Sequence, residues 1–529
     1  MGLIFPLLVF HDDTIYALST APGKAAIAVI RISGPGCLEV YKGLCPSSAS
    51  LKPRHASVRR LVHPSSEAGT NVLDSHAVVL YFPGPRTVTG EDVLELHIHG
   101  GSATVKAVLA AIPQCCSAQA IRYAEAGEFT KRSFANGRLD LAQVESLSDT
   151  LAAETEQQRR AAVRGNSGAL GRTYEKWRDL LLHARGEIEA LIDFSEDQHF
   201  DESPTQLLAN VTRQVCEILE SIDLHDTASQ RSELLRNGIR IALLGPPNAG
   251  KSSLMNLIVG REASIVSGEA GTTRDIIEAS LDIKGYLCTF ADTAGFRSRA
   301  TAGALGHGSV GPRLGAVEEE GIRRAKQKAL DSDLIVVLTS IEPADAACKS
   351  YQIYYDEDTL QLAAGAPACL VVVNKSDAVQ GDELEALKSS FQTSVLDRTP
   401  GLANVVPLSI SCKEAEILGS GHKDPGRIHG LVQQMVSHFE RMTLLPADQQ
   451  DLLGVTERQR QLLLLCRQHL EGFMAVAESP HDGSEPDIVM AAEYLRYAGD
   501  TLARITGRVD GGDVEEILGV IFERFCVGK

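Results

Sequence analysis

The chain has 529 residues, of which 69 are acidic and 51 basic, so its formal charge is -18. At about 150 residues per domain, that length predicts three or four domains, and the 44% hydrophobic and 23% charged composition is typical of a globular protein. The acidity argues against a protein that coats nucleic acid through a broad basic surface. No apolar run approaches the roughly 20 residues needed to cross a bilayer. The 11 scattered cysteines predict neither a disulfide framework nor a zinc site.

Short predicted strands fill the first part of the chain. The apolar runs are residues 26–32, 76–81 and 93–99, and glycine- and proline-containing turns separate them. This pattern predicts a small α+β domain, residues 1–136. From residue 139 onward, apolar residues recur every three or four positions, as in 180–192, which predicts long helices packed on one another.

Strands and helices then alternate, which predicts a doubly wound α/β sheet. The predicted strands are residues 239–244, 287–291, 334–338, 369–373 and 405–410. Helical periodicity returns after residue 456, in 461–476, 488–505 and 514–525. The simplest interpretation is one helical domain, residues 137–237 and 439–529, interrupted by an inserted α/β domain, residues 238–438. Separate small helical domains are the alternative.

The segment 245–252, GPPNAGKS, fits the pattern GxxxxGK[ST] and follows a predicted strand. The backbone N–H groups of such a phosphate loop point inward around phosphates. Lys251 adds positive charge at the β- and γ-phosphates, and the Ser252 hydroxyl can ligate Mg²⁺. A glycine-rich turn before a helix is the alternative, and the strand context favours the nucleotide site. The residues predicted to bind nucleotide here are Asn248, Ala249, Gly250, Lys251, Ser252 and Ser253.

Two segments that follow the phosphate loop are typical of nucleotide switches. In 292–295, DTAG, the Asp292 carboxylate can hold Mg²⁺ through water, and the Gly295 N–H can sense the γ-phosphate. In 271–275, GTTRD, a threonine can close over Mg²⁺ when GTP is bound and release after hydrolysis. Their order along the chain favours this interpretation over solvated loops.

Two later segments predict that the base is guanine. In 374–377, NKSD, the Asp377 carboxylate can accept hydrogen bonds from the N1–H and N2–H₂ edge, which adenine does not offer. Asn374 can brace the loop, and the stem of Lys375 can cover the base. Segment 411–413 can offer backbone N–H groups to the guanine carbonyl; its residues are Ser411, Cys412 and Lys413. Four such segments in order, each at a strand end, predict GTP.

The hydrolytic step departs from Ras-like enzymes, which place a water-orienting glutamine directly after the DxxG segment. Here that position is Phe296, so another group must orient the water and another charge must replace an arginine finger. The side-chain oxygen of Asn248 could hold a monovalent cation beside the phosphates. It could equally stabilise the turn, and the residues alone favour neither role.

These features together resemble the MnmE (TrmE) family of tRNA-modification GTPases over nearly the whole chain. A generic GTPase would share the nucleotide segments but not the two ends. The matching segments are IRISG at 30–34, FPGP at 82–85, GEDVLEL at 90–96, HGG at 99–101, GEFT at 127–130, LDLAQ at 139–143, PNAGKSS at 247–253 and FCVGK at 525–529.

The resemblance implies an N-terminal folate-binding and dimerisation domain, a helical domain and an inserted P-loop, Ras-like G domain. It implies a potassium-stimulated GTPase that forms homodimers. With the FAD-dependent partner MnmG, in a heterotetramer or larger complex, members modify C5 of the wobble uridine of certain tRNAs. A 5-formyl- or 5,10-methylene-tetrahydrofolate donates the one-carbon unit.

The resemblance also implies roles for individual residues in hydrolysis. Ser252 and Thr273 would ligate Mg²⁺, and Glu318 would position the attacking water. An insertion rich in glycine and alanine, residues 299–316, separates Glu318 from the DTAG segment and lengthens the second switch. The residues implied to hold K⁺ are Asn248, Ser267, Glu269 and Thr272.

For the folate, the resemblance implies four residues. Arg31 and Arg138 are cations suited to a ligand with a glutamate tail, and the Glu91 carboxylate can bind the amino group of a pterin. Surface charge for the arginines and a turn cap for Glu91 are the alternatives. Lys529, the last residue, completes the set.

A regulatory GTPase switch in ribosome assembly, without modification chemistry, is the rival function. The N-terminal and C-terminal segments argue against it. The insertions at 299–316 and 351–362 resemble eukaryotic members and predict the mitochondrial matrix, with the bacterial cytoplasm as the alternative. The first ten residues lack lysine and arginine and do not form a convincing presequence.

Overall fold

The computed structural model describes residues 13–65, 70–115, 120–194, 204–266, 280–291, 327, 329–344, 350–417, 424–477 and 487–507. The strands of these residues are β1 Thr14–Leu18, β2 Ile27–Ser33, β3 Ser57–Val62, β4 Val72–Phe82, β5 Val93–His99, β6 Ile121–Tyr123, β7 Ile239–Leu244, β8 Ala263–Ile265, β9 Ser280–Ile283, β10 Tyr286–Ala291, β11 Leu334–Pro343, β12 Tyr351–Tyr354, β13 Cys369–Asn374 and β14 Leu408–Ser409.

Helices alternate with these strands and dominate residues 128–237 and 457–506. They are α1 Cys37–Leu44, α2 Ser102–Ala111, α3 Glu128–Ala135, α4 Leu141–Ala152, α5 Glu156–Gly165, α6 Ala169–Phe194, α7 Pro204–Asn237, α8 Lys251–Leu257, α9 Glu357–Ala364, α10 Gly381–Phe391, α11 Cys412–Ile417, α12 Ile428–Thr443, α13 Glu457–Ala477 and α14 Ile488–Thr506.

The N-terminal part is a six-stranded sheet of order β3-β4-β5-β2-β1-β6. Its strands pair antiparallel except for β1 with β6. Because side chains alternate across a strand, Ile30 and Ile32 of β2 are buried in a core that also contains residues of α1 and α2. Arg31, between them, lies on the opposite face beside Glu95 of β5.

The helical part depends on residues from two distant stretches of the chain. The helix α14 packs against both α13 and α6. The residues of α14 that are buried recur at helical spacing, such as Leu495, Ala498 and Leu502, so one face of the helix is apolar. A helix pair within 457–506 therefore shares a core with a helix from 169–194.

The α/β part is an eight-stranded sheet of order β14-β13-β11-β7-β10-β9-β8, with β12 added to β11. The strands β10, β7, β11, β13 and β14 run parallel, and β8, β9 and β12 pair antiparallel. In β7, Ile241 and Leu243 face one apolar core, and Ala242 and Leu244 face another. Apolar cores on both faces are the mark of a doubly wound sheet.

The chain divides into two compact units, whose bounds differ from those expected from the sequence. One unit is Met1–Leu151, Val163–Asp226 and Gly454–Lys529; the other is Ala152–Ala162 and Thr227–Leu453. The second unit extends beyond 238–438 because Ala228 and Leu235 of α7, and Leu445 and Leu453 after α12, belong to its core. Among the helices that the structure describes, none is long and apolar enough to cross a membrane.

A buried histidine lies in the helical part of the first unit. His225 of α7 is 3% exposed, and its Nδ1 lies 3.1 Å from the Tyr174 hydroxyl. Its ring centroid is 5.0 Å from that of Trp177, the single tryptophan of the chain. Burial lowers the pKa of His225 to about 4, against an ordinary value of 6.5. The folded protein therefore keeps this ring neutral at physiological pH.

Acidification should destabilise the first unit through His225. Between pH 6.5 and pH 4 the unfolded chain binds a proton at His225 that the folded chain does not, so stability falls as the pH falls. The expected loss at pH 4 is about 3 kcal/mol. Urea unfolding followed by Trp177 fluorescence measures it. A His225→Gln variant should show a weaker pH dependence than the wild type, and the exposed-site control His183→Gln should not. Equal pH dependence in all three proteins would contradict the prediction.

Candidate functional site

The phosphate loop follows the central strand β7, and close neighbours together with positive φ angles require glycine at its first and sixth positions. Gly245 has φ +146°, and a Cβ there would lie 2.0 Å from the carbonyl oxygen of Leu338. Gly250 has φ +102°, and its Cβ would lie 2.2 Å from the amide nitrogen of Asn374. Between them Asn248 has φ +63°, a left-handed conformation that asparagine tolerates better than most residues.

Lys251, the first residue of α8, folds its side chain back over the loop. Its Nζ donates hydrogen bonds to the carbonyl oxygens of Gly245 and Pro246, each at 2.8 Å. Burial lowers the pKa of Lys251, and the Asp356 carboxylate acts in the opposite direction. The ammonium can exchange these neutral carbonyls for phosphate oxygens. Ser252 and Ser253 follow in the first turn of the helix.

Asn374, at the end of β13, connects the phosphate loop to the segment after β14. Its side-chain amide donates to the carbonyl oxygen of Ala249 at 2.7 Å. Its side-chain oxygen accepts from the backbone N–H of Cys412 at 3.2 Å. Burial raises the pKa of the Cys412 thiol to about 11, so the thiol stays protonated at neutral pH. Cys412 therefore contributes its backbone, and one buried amide joins two of the predicted guanine-nucleotide segments.

The Asp377 carboxylate has two partners, both from segment 411–413. The Ser411 hydroxyl donates to Oδ1 at 2.6 Å, and the Lys413 ammonium lies 3.8 Å from Oδ2. Ser411 is fully buried, whereas the Asp377 side chain is 19% exposed. The sequence predicted a backbone role for Ser411 and missed its hydroxyl. Such a hydroxyl can orient a carboxylate for the two N–H donors of guanine.

Lys375 has a partner that the sequence did not suggest. Its Nζ lies 2.5 Å from Oε1 of Glu342, a residue near the end of β11. The only sequence signal was an acidic residue near the end of a strand adjacent to the NKSD strand.

Several other predicted residues lie outside the described part of the chain: Ser267, Glu269, Thr272, Thr273, Asp292, Gly295, Glu318 and Lys529.

A second candidate site is a pocket of about 660 Å³ in the N-terminal part, within the size range of small-molecule sites. Arg31 and Arg138, both predicted from the sequence, line it. Arg31 donates from Nε to Glu95 at 3.0 Å, and Arg138 donates from Nε to the carbonyl oxygen of Thr87 at 3.0 Å. Among the other lining residues are Arg54, Phe82, Arg86, Phe129, Leu147 and Leu151.

The pocket combines cations with apolar and aromatic surface. The guanidinium of Arg31 lies 5.9 Å from the ring centroid of Phe129, and that of Arg54 lies 5.8 Å from that of Phe82. Arg54 was not predicted from the sequence, because its place beside the FPGP segment depends on the pairing of distant strands. A flat, anionic ligand suits such a lining, since the aromatic faces can stack on it and the arginines can bind its carboxylates.

Glu91 is not among the residues that line this pocket. Its carboxylate accepts a hydrogen bond from the Ser33 hydroxyl at 2.8 Å and forms an ion pair with Arg132 at 3.0 Å. Arg132 also pairs with Asp13 and Glu128. Both carboxylate oxygens of Glu91 are therefore engaged within the protein. The contact of Glu91 with a pterin stays a prediction, since each oxygen of a carboxylate has more than one acceptor position.

The two sites can perform different chemistry. The phosphate loop and the guanine segments meet at the carboxyl ends of parallel strands, where doubly wound sheets bind ligands. They can bind a guanine nucleotide with its phosphates at Lys251 and its base at Asp377. The described residues that line the N-terminal pocket include no comparable phosphate loop, and they suit a planar organic anion.

Comparison with known proteins shows which family the chain resembles. A family model described as "GTP-binding protein TrmE N-terminus" matches residues 14–138, and one described as "MnmE helical domain" matches residues 141–526. The mitochondrial 5-taurinomethyluridine-[tRNA] synthase subunit GTPB3 of Danio rerio is 36% identical, covering 98% of this chain and 93% of the relative. The tRNA modification GTPase MnmE of Parvibaculum lavamentivorans is 37% identical, covering 98% and 100%.

The mitochondrial tRNA modification GTPase MSS1 of Saccharomyces cerevisiae is 35% identical, covering 100% of this chain and 95% of the relative. Similarity at this level over the full length includes the N-terminal and helical parts as well as the nucleotide site. The chain therefore belongs to the TrmE/MnmE family of tRNA modification GTPases.

Proposed function

We propose that this GTPase, together with an MnmG-type FAD-dependent partner, modifies C5 of the wobble uridine of certain tRNAs with a carboxymethylaminomethyl- or taurinomethyl-type group. The observation that carries the proposal is the full-length similarity to named tRNA modification GTPases. The chain would act as a homodimer in a heterotetramer or larger complex. The mitochondrial relatives support a mitochondrial location, and the matrix is the proposed compartment.

The proposed division of labour assigns one substrate to each site. GTP binds at the phosphate loop, with Ser252 and Thr273 as Mg²⁺ ligands and Glu318 as the residue that positions water. A 5-formyl- or 5,10-methylene-tetrahydrofolate binds the N-terminal pocket and supplies the one-carbon unit. The pocket supports this assignment because Arg31 and Arg138 line it beside Phe82 and Phe129. The proposed domains are 1–136, 137–237 with 439–529, and the G domain at 238–438.

Loss of the gene should remove the C5 substituent from the wobble uridine of the substrate tRNAs. Mass spectrometry of tRNA nucleosides from a deletion strain measures this directly. Re-expression of the wild-type chain should restore the modified nucleoside, and Lys251→Ala should not, because Lys251 binds the phosphates. The exposed-site variant Lys106→Ala, on α2, should restore it fully. Unchanged wobble uridines in the deletion strain would favour a regulatory switch in ribosome assembly instead.

GTP hydrolysis should be faster in K⁺ than in Na⁺, because Na⁺ is too small for the proposed cation pocket of Asn248. A cation beside the transferring phosphoryl group should accelerate hydrolysis by about 10- to 100-fold. Asn248→Ala should abolish the difference between the two salts and leave GDP affinity close to the wild-type value. The control Asn237→Ala, at the end of α7, should keep the K⁺ effect. If Asn248→Ala also abolishes nucleotide binding, Asn248 stabilises the loop instead.

Arg138→Ala should weaken binding of 5-formyl-tetrahydrofolate by about 10- to 100-fold, because a charge-assisted hydrogen bond to the ligand is lost. The affinity of Arg138→Lys should lie between those of the wild type and Arg138→Ala, because lysine keeps the charge but lacks the planar guanidinium group. Isothermal titration calorimetry measures each dissociation constant, and the exposed Arg172→Ala serves as the control. Wild-type affinity in Arg138→Ala would remove this arginine from the site. Failure of the wild-type protein to bind would contradict the folate assignment as a whole.

A further inference from the structure

A carboxylate outside the four nucleotide segments holds the lysine of the NKSD segment. Glu342 Oε1 lies 2.5 Å from Lys375 Nζ, and the side chains are 33% and 37% exposed. The hydroxyl of Ser340, which is fully buried, donates to the same oxygen of Glu342 at 2.9 Å. The Glu342 carboxylate is therefore fixed from one side by a buried hydroxyl and bound on the other by the ammonium of Lys375.

The strand register explains why the two side chains meet. The strands β11 and β13 are parallel neighbours, and Ser340 stands opposite Asn374. Lys375 follows Asn374 directly, with φ +62°, a left-handed conformation that is uncommon for lysine. Because side chains alternate along a strand, Glu342 points to the same face as Ser340. The backbone thus determines both where the Lys375 side chain begins and where its partner Glu342 lies.

An additional strand supports the part of β11 that carries Glu342. The strand β11 continues past its last residue paired with β13, and β12 pairs with this extension, with Gln352 opposite Glu342. Ile341 of the extension is buried with Val373 and Leu384 in a small apolar core, and Tyr351 and Ile353 of β12 pack against it. Glu342 is consequently on a rigid element and not on a free loop.

We propose that Glu342 is a positioning residue for guanine-nucleotide recognition. It binds the ammonium of Lys375 and thereby holds the aliphatic stem of that lysine where it covers the face of the base. Lysine is among the side chains that lose most entropy on ordering, so a lysine ordered before the nucleotide arrives lowers the cost of binding. Glu342 itself does not touch the nucleotide. Asp377 binds the edge of the base, and Glu342 acts only on the lysine stem that covers its face.

The first test is a split between binding and hydrolysis. Glu342→Gln should raise the dissociation constants of GDP and GTP by about two- to fivefold, the range for a partly exposed charged pair. KM should rise by the same factor, and kcat should stay within about twofold of the wild type, because ground-state binding is what is lost. Fluorescent-nucleotide titration and steady-state hydrolysis measure these quantities. Glu342→Asp, which keeps the charge and shortens the side chain, should give an intermediate loss.

The second test separates positioning from general destabilisation. In the Lys375→Met background, Glu342→Gln should raise the dissociation constant no further, because the group that Glu342 positions is gone. The ratio of GTP to ITP affinity should stay unchanged in Glu342→Gln and fall in Asp377→Ala, since ITP lacks the 2-amino group that Asp377 binds. The control Glu385→Gln removes a comparable pair with Lys388 on α10 and should leave every value unchanged.

Three results would overturn the proposal. Unchanged or tighter nucleotide binding in both Glu342 variants would show that the pair does not assist binding. An equal loss from Glu342→Gln with and without Lys375 would assign Glu342 a structural role. A changed ratio of GTP to ITP affinity in Glu342→Gln would place Glu342 in contact with the edge of the base. None of these measurements depends on tRNA or folate, so they stand apart from the proposed modification reaction.

Discussion

The first unit depends on one buried carboxylate that joins the first and the last of its three chain segments. Glu145 of α4 is 9% exposed and pairs with Arg458, and it also accepts from the Thr456 hydroxyl and, at 2.6 Å, from the Gln459 amide. Arg458 donates in turn to the carbonyl oxygens of Arg504 and Ile505, at the end of α14. Removal of one partner from such a buried pair costs about 3–5 kcal/mol. The chain segment that begins at Gly454 is therefore bound to α4 within five residues of Gly454.

These contacts of Glu145 also explain how the first unit tolerates a long inserted stretch of chain. The chain leaves this unit at Thr227 and returns at Gly454. At the return point Gly454 and Gly165 are in backbone contact, and a Cβ on Gly454 would lie 2.5 Å from the Gly165 Cα. The entropy of closing a loop grows only slowly with its length. Once the ends are held, the stretch between them can form its own two-faced core and carry the nucleotide site.

Local sequence pattern was sufficient where a strand or helix is defined by its own residues. The predicted strands 93–99 and 239–244 agree with β5 and β7 to the residue, because their apolar runs end at turn residues. Strand β11 runs five residues beyond the predicted 334–338, because β13 pairs with it through Ser340 and β12 pairs with it through Pro343, and no local pattern reveals these partners. The predicted strand 405–410 shrinks to Leu408–Ser409, since only these residues find partners in β13. The side-chain partners of Glu91 and Lys375 were missed for the same reason: each comes from a distant part of the chain.

The three charged groups of the nucleotide site differ in what GTP must displace. Lys251 is bound to two neutral carbonyls, and exchanging these for phosphate oxygens replaces neutral hydrogen bonds with stronger charge-assisted ones. Asp377 gives up less, because guanine N–H donors can join the Ser411 hydroxyl at a carboxylate with several acceptor positions. In the proposed complex Lys375 meets the base with its aliphatic stem, so its ion pair with Glu342 is kept. On this proposal the affinity for GTP comes chiefly from the phosphate end, and discrimination between bases comes from Asp377. The Lys375–Glu342 pair then lowers the entropic cost of ordering the lysine side chain.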